Sequence, residues 1–503
     1  MKEEKDVSLF EKIKFIFLYG RDFVSTLMYL NYNIFAGVMR IANSTYLDFI
    51  SELSGRRAYY RASKRTPAYK DFLNASKEKS ISETDKENYI KTYSIEQRCK
   101  RGKISAKNVM IDESSGSTGT PYNWVRSKAE RRKSHGAIRY FARYCFGDTF
   151  DITINAFSMG AWATGMNMGK ALEHSSIVKN TGPDIEKIFN TLDFFGPTYK
   201  YLILGYPPFI KQIIDIAKER NFPLHLYHLQ TLVGGEGMSE GLRDYLSTRF
   251  RDVYSGYGVT DVEIGLAGET PLSVAIRRLA RDNNDFRQHV FGSDSRLPML
   301  FQYNPLEHHV EVNDDGELLF TINRGSVISP RIRYNAHDQG GIANYEKMKQ
   351  YLTDVRIDIK MLTPKNTFQL KFPFMWVYGR KDFTISIMGA NIYPEDIEQC
   401  VYADPFLREI TRSFCQSTME TKESAIRPVF YFEINVTPTE ELKLKFQTTI
   451  TENLRRINLD YKAAWNEHKD VLLPEIHLYP IGEGPFKMEN GQIKQRRMLK
   501  PGT

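Results

Sequence analysis

The stretch Glu113-Ser114-Ser115-Gly116-Ser117-Thr118-Gly119-Thr120-Pro121 sets glycines among hydroxyl residues and closes on proline. Glycine lets a backbone turn tightly and bring its N–H groups close to an anion. Serine and threonine add donors without bulk. The combination suits phosphate oxygens. It is not a Walker loop, because G-x-x-x-x-G-K-[ST] is absent. Standing alone, it reads equally well as a flexible Ser/Gly turn. Two more glycine-rich turns follow apolar runs. One is Gly234-Gly235-Glu236-Gly237; the other is Gly256-Tyr257-Gly258, which leads into Val259-Thr260-Asp261. Farther on, Asp338 stands just before Gly340-Gly341, and Asp382 follows Gly379-Arg380-Lys381.

Other chemistries are poorly served. Cys99, Cys145, Cys400 and Cys415 include no C-x-x-C pair and read as scattered reduced thiols. His308 and His309 are adjacent, so on a strand they point apart and cannot easily share a metal. The 503 residues are 41% hydrophobic and 26% charged, an ordinary soluble composition with length for several domains. The net charge of +8 is mild over such a chain. No basic arm, zinc finger or RNA-recognition signature accompanies it, so no nucleic-acid partner is expected. An anionic small substrate such as ATP accounts for the bias equally well.

Elements must carry these residues to one place. Residues 1–80 read as helical. The apolar run 15–42 is interrupted by Arg21, Asp22, Asn31, Asn33 and Arg40, whereas a spanning helix needs about 20 apolar residues. It reads as helices docked on the protein body, with a membrane-surface role left open. No signal-peptide layout is visible, and a cytoplasmic location is expected.

From residue 108 the pattern alternates. Strands are expected at 108–111, 151–157, 201–204, 229–233 and 251–254, with helices at 124–145, 184–195, 207–219 and 239–250. Such a rhythm gives a mainly parallel sheet flanked by helices, with ligands outside the carboxyl ends of its strands. The Gly/Ala/Met-rich residues 158–169 read either as a ligand wall or as close helix packing. Residues 270–340 look more β-like, with a hairpin across Asn313-Asp314-Asp315-Gly316. The expected class is therefore α/β: a helical extension over 1–80, a large domain over 81–381, and a small α+β C-terminal domain over 382–503.

Five motifs in one order resemble those of adenylate-forming enzymes. They are Ser114 to Pro121; Gly234-Gly235-Glu236-Gly237-Met238-Ser239-Glu240; Tyr257-Gly258-Val259-Thr260-Asp261; Ile332-Arg333-Tyr334-Asn335-Ala336-His337-Asp338; and Gly379-Arg380-Lys381-Asp382 with the following Gly389 to Glu398. Over roughly residues 55–500 the chain resembles the phenylacetate–CoA ligase-like branch, including its capsule-cluster adenylyltransferase relatives. The resemblance implies an AMP-binding large domain and a mobile C-terminal lid. It implies ATP, Mg²⁺ and coenzyme A as cofactors, and a carboxylic acid activated to an acyl-adenylate. An aryl or other apolar acid is expected, from Phe157, Met159, Trp162, Met166 and Met168, which could equally be core.

By the same resemblance Ser115, Gly116, Ser117, Thr118 and Gly119 form the phosphate loop, with Ser115, Ser117, Thr118 and Gly119 gripping the β- and γ-phosphates. Thr260 contacts the α-phosphate, and Asp261 holds the metal. Asp338 accepts from the ribose hydroxyls. Gly235, Glu236, Tyr257 and Gly258 belong to the adenine side. Arg380 approaches ribose or phosphate, Asp382 is the pivot, and Lys494 is the catalytic lysine with Lys487 in reserve. Three departures stand out. Thr120-Pro121-Tyr122 replaces the loop lysine, for which Lys128 or Arg131 to Lys133 are the candidate substitutes; Phe383 replaces an aspartate; and Gln492 occupies the usual position of the C-terminal lysine. Delivery to a carrier-protein thiol or a hydroxyl instead of coenzyme A stays open, as do a degenerate nucleotide-binding scaffold and a homodimer.

Overall fold

The computed structural model describes residues 7–76, 80–113, 122–147, 150–160, 163–292, 294, 296–362, 368–380, 384–388, 390–420, 426–487 and 497–499, with backbone alone for Arg380 and Glu420. The N-terminal region is helical, as expected: α1 (Leu9–Met28), α2 (Tyr32–Ile41), α3 (Ser44–Arg65) and α4 (Pro67–Ala75). Each start has a local cause. Ser8 and Glu11 form a capping box on α1, Asn31 and Asn43 cap α2 and α3, and Pro67 opens α4.

A hairpin follows, β1 (Val109–Glu113) and β2 (Asn123–Ser127), with Glu113 opposite Asn123. This corrects the expected helix over 124–145. Trp124 and Val125 favour a strand once β1 is there to pair with them. Ser127 and Glu130 form the capping box that starts α5 (Lys128–Phe146).

The strands β3 (Ile152–Asn155), β4 (Ile177–Asn180), β5 (Lys200–Gly205), β6 (His228–Gly234) and β7 (Val253–Val259) run parallel in the order β4-β3-β5-β6-β7. Helices α6 (Ala163–Leu172), α7 (Ile185–Phe195), α8 (Pro207–Glu219) and α9 (Glu240–Leu246) supply the crossovers. The β-rich part continues the same sheet antiparallel. It adds β8 (Glu263–Gly268), β9 (Met299–Tyr303), β10 (His308–Val312), β11 (Glu317–Ile322), β12 (Tyr334–Ala343) and β13 (Phe374–Arg380) in the order β8-β9-β13-β12-β11-β10. The hairpin at Gly316 forms as its sequence demands, with that glycine at φ +75°.

Residues 271–291 are helical rather than β-like: α10 (Pro271–Asp282) and α11 (Asn284–Phe291). Thr270 caps α10, and Leu272, Ile276 and Ala280 recur at helical spacing on its buried side. Between β12 and β13 in the chain comes α12 (Tyr345–Asp354), which shares a hydrophobic cluster with α10 and α11. In the described part of 158–169 both readings find support: Thr164 and Met168 line a cavity, and the glycines are closely packed. A Cβ on Gly165 would lie 2.1 Å from the Ser158 carbonyl oxygen, so α6 rests directly on the chain after β3.

Beyond β13 come β14 (Ile385–Ile387), β15 (Ala390–Ile392), α13 (Pro394–Ala403), α14 (Pro405–Ile410), β16 (Thr411–Glu420), β17 (Ile426–Ile434), α15 (Glu440–Ile457), α16 (Leu459–Leu472) and β18 (Glu475–Pro480). They share a hydrophobic cluster of their own, running from Ile385 to Ile476.

Candidate active site

The Ser/Gly loop residues Ser115, Gly116, Ser117, Thr118 and Gly119 lie outside the described residues, as do Asp382 and Lys494. The strands flanking the loop are described, and they are fastened to a second candidate segment. Arg126 on β2 is the fastener. Its Nε donates to Asp112 Oδ2 at 2.7 Å, its Nη1 to the Val262 carbonyl at 2.9 Å and its Nη2 to the Thr260 carbonyl at 2.7 Å. Two residues earlier, Trp124 Nε1 donates to Asp261 Oδ1 at 2.9 Å. The base of the hydroxyl loop is thus joined to the Thr260-Asp261 turn that links β7 to β8.

Asp261 is held from three sides. Tyr334 donates to its Oδ2 at 3.0 Å, and Arg331 Nε donates to its carbonyl at 2.8 Å while its guanidinium lies 4.1 Å from the centre of the Trp124 ring. Burial, together with the Asp261 charge, pushes the Tyr334 hydroxyl well above its usual pKa, so it stays a donor. Each Asp261 oxygen accepts one neutral hydrogen bond and retains lone-pair capacity for a cation. Among the described residues there is no cluster of three or more His, Cys, Asp or Glu arranged for a metal. The carboxylate fits Mg²⁺ in one manner: an ion that draws its other ligands from triphosphate oxygens and water.

Tyr257 on β7 and Asp338 on β12, strands that do not pair with each other, meet through their side chains: Tyr257 Oη donates to Asp338 Oδ2 at 2.5 Å. Asp338 on β12 sits directly opposite Arg380 on β13. His337, the residue before Asp338, has φ +61°, and Arg333 has φ +45°. Non-glycine residues in that region carry strain, which has to be offset by surrounding contacts. Here the Asn335 side chain accepts the His337 N–H at 2.7 Å. Gly235 turns the chain after β6 at φ +84°. A Cβ on Gly258 would meet the Gly265 nitrogen at 2.9 Å, so no other residue fits that crossing of β7 and β8.

The buried ion network beneath the Gly235 turn was not visible in the sequence. Glu240 bonds to Arg243 and Arg277, Arg243 reaches Glu269, and Arg277 Nη2 donates to the Met238 carbonyl at 3.0 Å. Burial works to raise the pKa of Glu240, but the two arginines overcome it and hold it at about 2.

Thr260, Tyr257, Gly258 and Gly235 share the wall of one cavity of about 140 Å³ with apolar side chains from α5 and α6, including Ile138, Phe141 and Met168. Phe157 also lines it. Met159 and Met166 do not, and Met166 is exposed. Trp162 lies outside the described residues. Lys133, one candidate to replace the loop lysine, lies near Asp22 of α1; burial works to raise that carboxyl's pKa, but Arg57, Arg21 and Lys133 hold it low. Glu263, His308 and Arg324 make one polar corner of the cavity. Glu263 pairs with Arg324 at 2.5 Å and with His308 Nε2 at 3.0 Å. Burial opposes the charge on Glu263, yet Arg324 and His308 hold its carboxyl well below the usual range. His309 turns away to Ser51, as adjacent strand positions must.

The C-terminal elements meet this site at the Gly235 turn. Arg497 Nη2 lies 3.6 Å from Glu236 Oε2, and Glu398 Oε2 accepts the Ser239 N–H at 2.8 Å. Glu395 is packed between residues 237 and 379, its Oε1 3.7 Å from the Cβ position of Gly237 and 3.4 Å from that of Gly379. Burial pushes its carboxyl from 4.5 up to about 7. A carboxyl with a raised folded-state pKa favours folding below its unfolded pKa, and that advantage is lost as pH rises through the folded one. Glu395→Gln is therefore expected to raise the thermal midpoint at pH 8. The two midpoints should converge near pH 4.5. A variant that matches wild type at both pH values would show that the carboxyl carries no such cost.

No family model matches the chain, and no curated protein matches it by sequence. Among solved structures it is similar to 2-hydroxyisobutyryl-CoA ligase in its postadenylation state with R3-HIB-AMP, at TM-score 0.62 and 13% identity over 90% of this chain and 88% of that one. The same ligase with 2-HIB-AMP gives TM-score 0.60 at 13% identity, over 90% and 88% of the two chains. Its thioesterification state with 2-HIB-AMP and CoA gives 0.53 at 12% identity, over 92% and 91%. At such identity the likeness shows a shared fold, extending through both the large sheet and the C-terminal elements.

Proposed function

We propose that this protein is an adenylate-forming ligase that activates a carboxylic acid with ATP and passes the acyl group to a thiol such as coenzyme A. One observation carries this reading. The base of the hydroxyl loop, the Thr260-Asp261 turn and the Tyr257–Asp338 pair are joined by hydrogen bonds or by sequence, and Thr260 and Tyr257 line one cavity. A triphosphate needs that convergence, since its charges lie along one extended chain. The fold shared with an acyl-AMP-binding CoA ligase supports it.

In this scheme a carboxylate oxygen attacks the α-phosphorus, and the bond to pyrophosphate breaks with its electron pair on the leaving group. The thiolate then attacks the acyl carbon and AMP departs. Ser115, Ser117, Thr118 and Gly119 would hold the β- and γ-phosphates, with Gly116 allowing the turn, and Thr260 would hold the α-phosphate. Mg²⁺ on Asp261 would neutralise charge on the departing pyrophosphate. Gly235, Glu236 and Gly258 would border the adenine. Tyr257 would stack on it while its hydroxyl orients Asp338 toward the ribose, beside Arg380. Residues 382–503 would act as the lid, pivoting at Asp382. The Ile138, Phe141, Phe157 and Met168 wall favours an apolar or aryl acid.

The test is acid-dependent ATP–pyrophosphate exchange across aryl, indolyl and fatty acids. Exchange with at least one is expected; none across the panel would overturn the proposal. Coenzyme A and a phosphopantetheinyl carrier, added in turn, then identify the acceptor. Asp338→Ala is expected to weaken ATP binding by roughly 10- to 100-fold, the loss of charge-assisted bonds worth about 1.5–3 kcal/mol. Calorimetric titration measures it, and an unchanged Kd would remove Asp338 from the ribose site.

A further inference from the structure

Helix α1 is inverted in polarity. A helix on the surface of a water-soluble protein turns its apolar stripe inward and its charges outward. On α1 the two carboxylates face the protein: Glu11 pairs with Arg56 at 3.1 Å, and Asp22 pairs with Arg57 at 2.9 Å. Arg21 is also buried and donates to Ser54 at 2.8 Å. The outer face carries Leu9, Ile13, Ile16, Gly20, Phe23 and Leu27, spaced alternately four and three apart, with Phe10, Phe17 and Val24 alongside. Phe17 is 76% exposed and Phe23 66%. Leu30, Ile34 and Ile41 continue the exposed apolar residues into α2. Scattered exposed apolar residues are ordinary, but a contiguous set of this size marks an interaction surface.

Charge and width choose the occupant. The exposed side of α1 and α2 keeps Lys12 and Arg40, with Lys14 half-buried, while neither helix shows an unpaired carboxylate. Such a face is complementary to an anionic surface. A coiled-coil partner would use two positions in seven, flanked by charged residues that set the register. Here a third position in each seven is also apolar, and the other flank is Lys12, Tyr19 and Thr26. The apolar arc covers about half the helix circumference, too wide for a single helical seam. A second copy of the chain would bring Lys12 and Lys14 against their own kind. No described helix is long and apolar enough to cross a membrane, so the face lies on a bilayer and does not span it.

The geometry points to α1 and α2 as an interfacial anchor that seats the protein on the surface of an anionic lipid leaflet. This stands apart from the adenylation reading. The same helices contribute Phe35, and their connection contributes Tyr29, to the wall of the apolar cavity. The lipid-facing layer and the cavity therefore share a boundary.

The experiment is flotation of the full-length protein with vesicles of phosphatidylcholine alone, or of phosphatidylcholine mixed with phosphatidylglycerol. Wild type is expected to float with the mixed vesicles and far less with the neutral ones. The double variant Phe17→Glu/Phe23→Glu should lose at least about tenfold in vesicle partitioning. Phe194→Glu, a single exchange of the same kind at an 82% exposed position on α7, should partition like wild type. Circular dichroism confirms that the variants fold. A Phe17→Trp variant should show added indole fluorescence quenched by bromine-labelled acyl chains. Wild-type protein that stays unbound to both vesicles would overturn the proposal. So would equal binding by all variants, or a dimer in sedimentation that Phe17→Glu/Phe23→Glu dissolves, since a second copy would then cover the face.

Discussion

Arg126→Ala is expected to cost the fold about 3–5 kcal/mol and to lower the exchange rate by at least about a hundredfold. Both effects come from one buried guanidinium. Arg126 is 4% exposed and serves Asp112, Thr260 and Val262 together. Removing it leaves the Asp112 carboxylate, itself 3% exposed, without its cation, and an uncompensated buried charge is the expensive outcome. The kinetic loss has a different origin. Thr260 would no longer be held at a fixed distance from the hydroxyl loop, and in-line attack tolerates little misplacement. The double variant Arg126→Leu/Asp112→Leu separates the two. It should recover part of the stability, because Asp112 is no longer a buried charge without its cation, while Glu130, 3.9 Å from Arg126, still loses that partner; it should remain slow. Thermal unfolding and exchange kinetics on both variants measure this. Full recovery of exchange in the double variant would show that Arg126 supports the fold without positioning the site.

The features legible in the sequence were those set by neighbours along the chain. The strand–helix rhythm, the hairpin at Gly316 and the cap at Ser239 each follow from residues within a few positions of one another. So did the candidate site stretches, since glycine and hydroxyl residues cluster locally. The helix at Pro271 was equally local, with Thr270 and proline at its start. The β-forming residues after 299 outweigh it when the stretch is taken as a whole. What joins the stretches was not legible. Arg126 reaches Thr260 across 134 positions, and Tyr257 reaches Asp338 across 81. No spacing rule marks such pairs, because their elements are distant in the chain: β2 belongs to a separate two-stranded sheet, and β7 and β12 are not paired with each other. The strand at 123–127 hid for the same reason. Trp124 and Arg126 resemble the start of a basic helix until β1 is there to pair with them. The outward apolar face of α1 was visible as an apolar run. Its direction was not, because that depends on Arg56 and Arg57 being buried behind it.

Lys494→Ala is expected to slow adenylation by about 10²–10³-fold while leaving thioester formation from supplied acyl-adenylate intact. The argument starts from the end of the chain. The Arg497 carbonyl accepts the Gln416 N–H at 2.9 Å, and the Leu499 N–H returns to the Gln416 carbonyl at 2.9 Å, so the tail is pinned along β16. The Arg497 guanidinium is thereby set 3.6 Å from Glu236, on the turn after Gly235. Lys494 stands three positions before Arg497. Lys487, the reserve, is exposed at the end of a short 3₁₀ turn, Gly484–Phe486. A cation at the α-phosphate stabilises charge that grows only as the acid attacks, so its loss should fall on kcat and spare the KM for ATP. Thioester formation would use the other lid arrangement and would not need it. Steady-state exchange, together with single-turnover transfer from a synthetic acyl-adenylate, resolves the two steps. Unimpaired exchange in Lys494→Ala alongside a loss in Lys487→Ala would move the role to Lys487. Unimpaired exchange in both would leave the α-phosphate to Arg380 and Thr260 and remove the lysine from the chemistry.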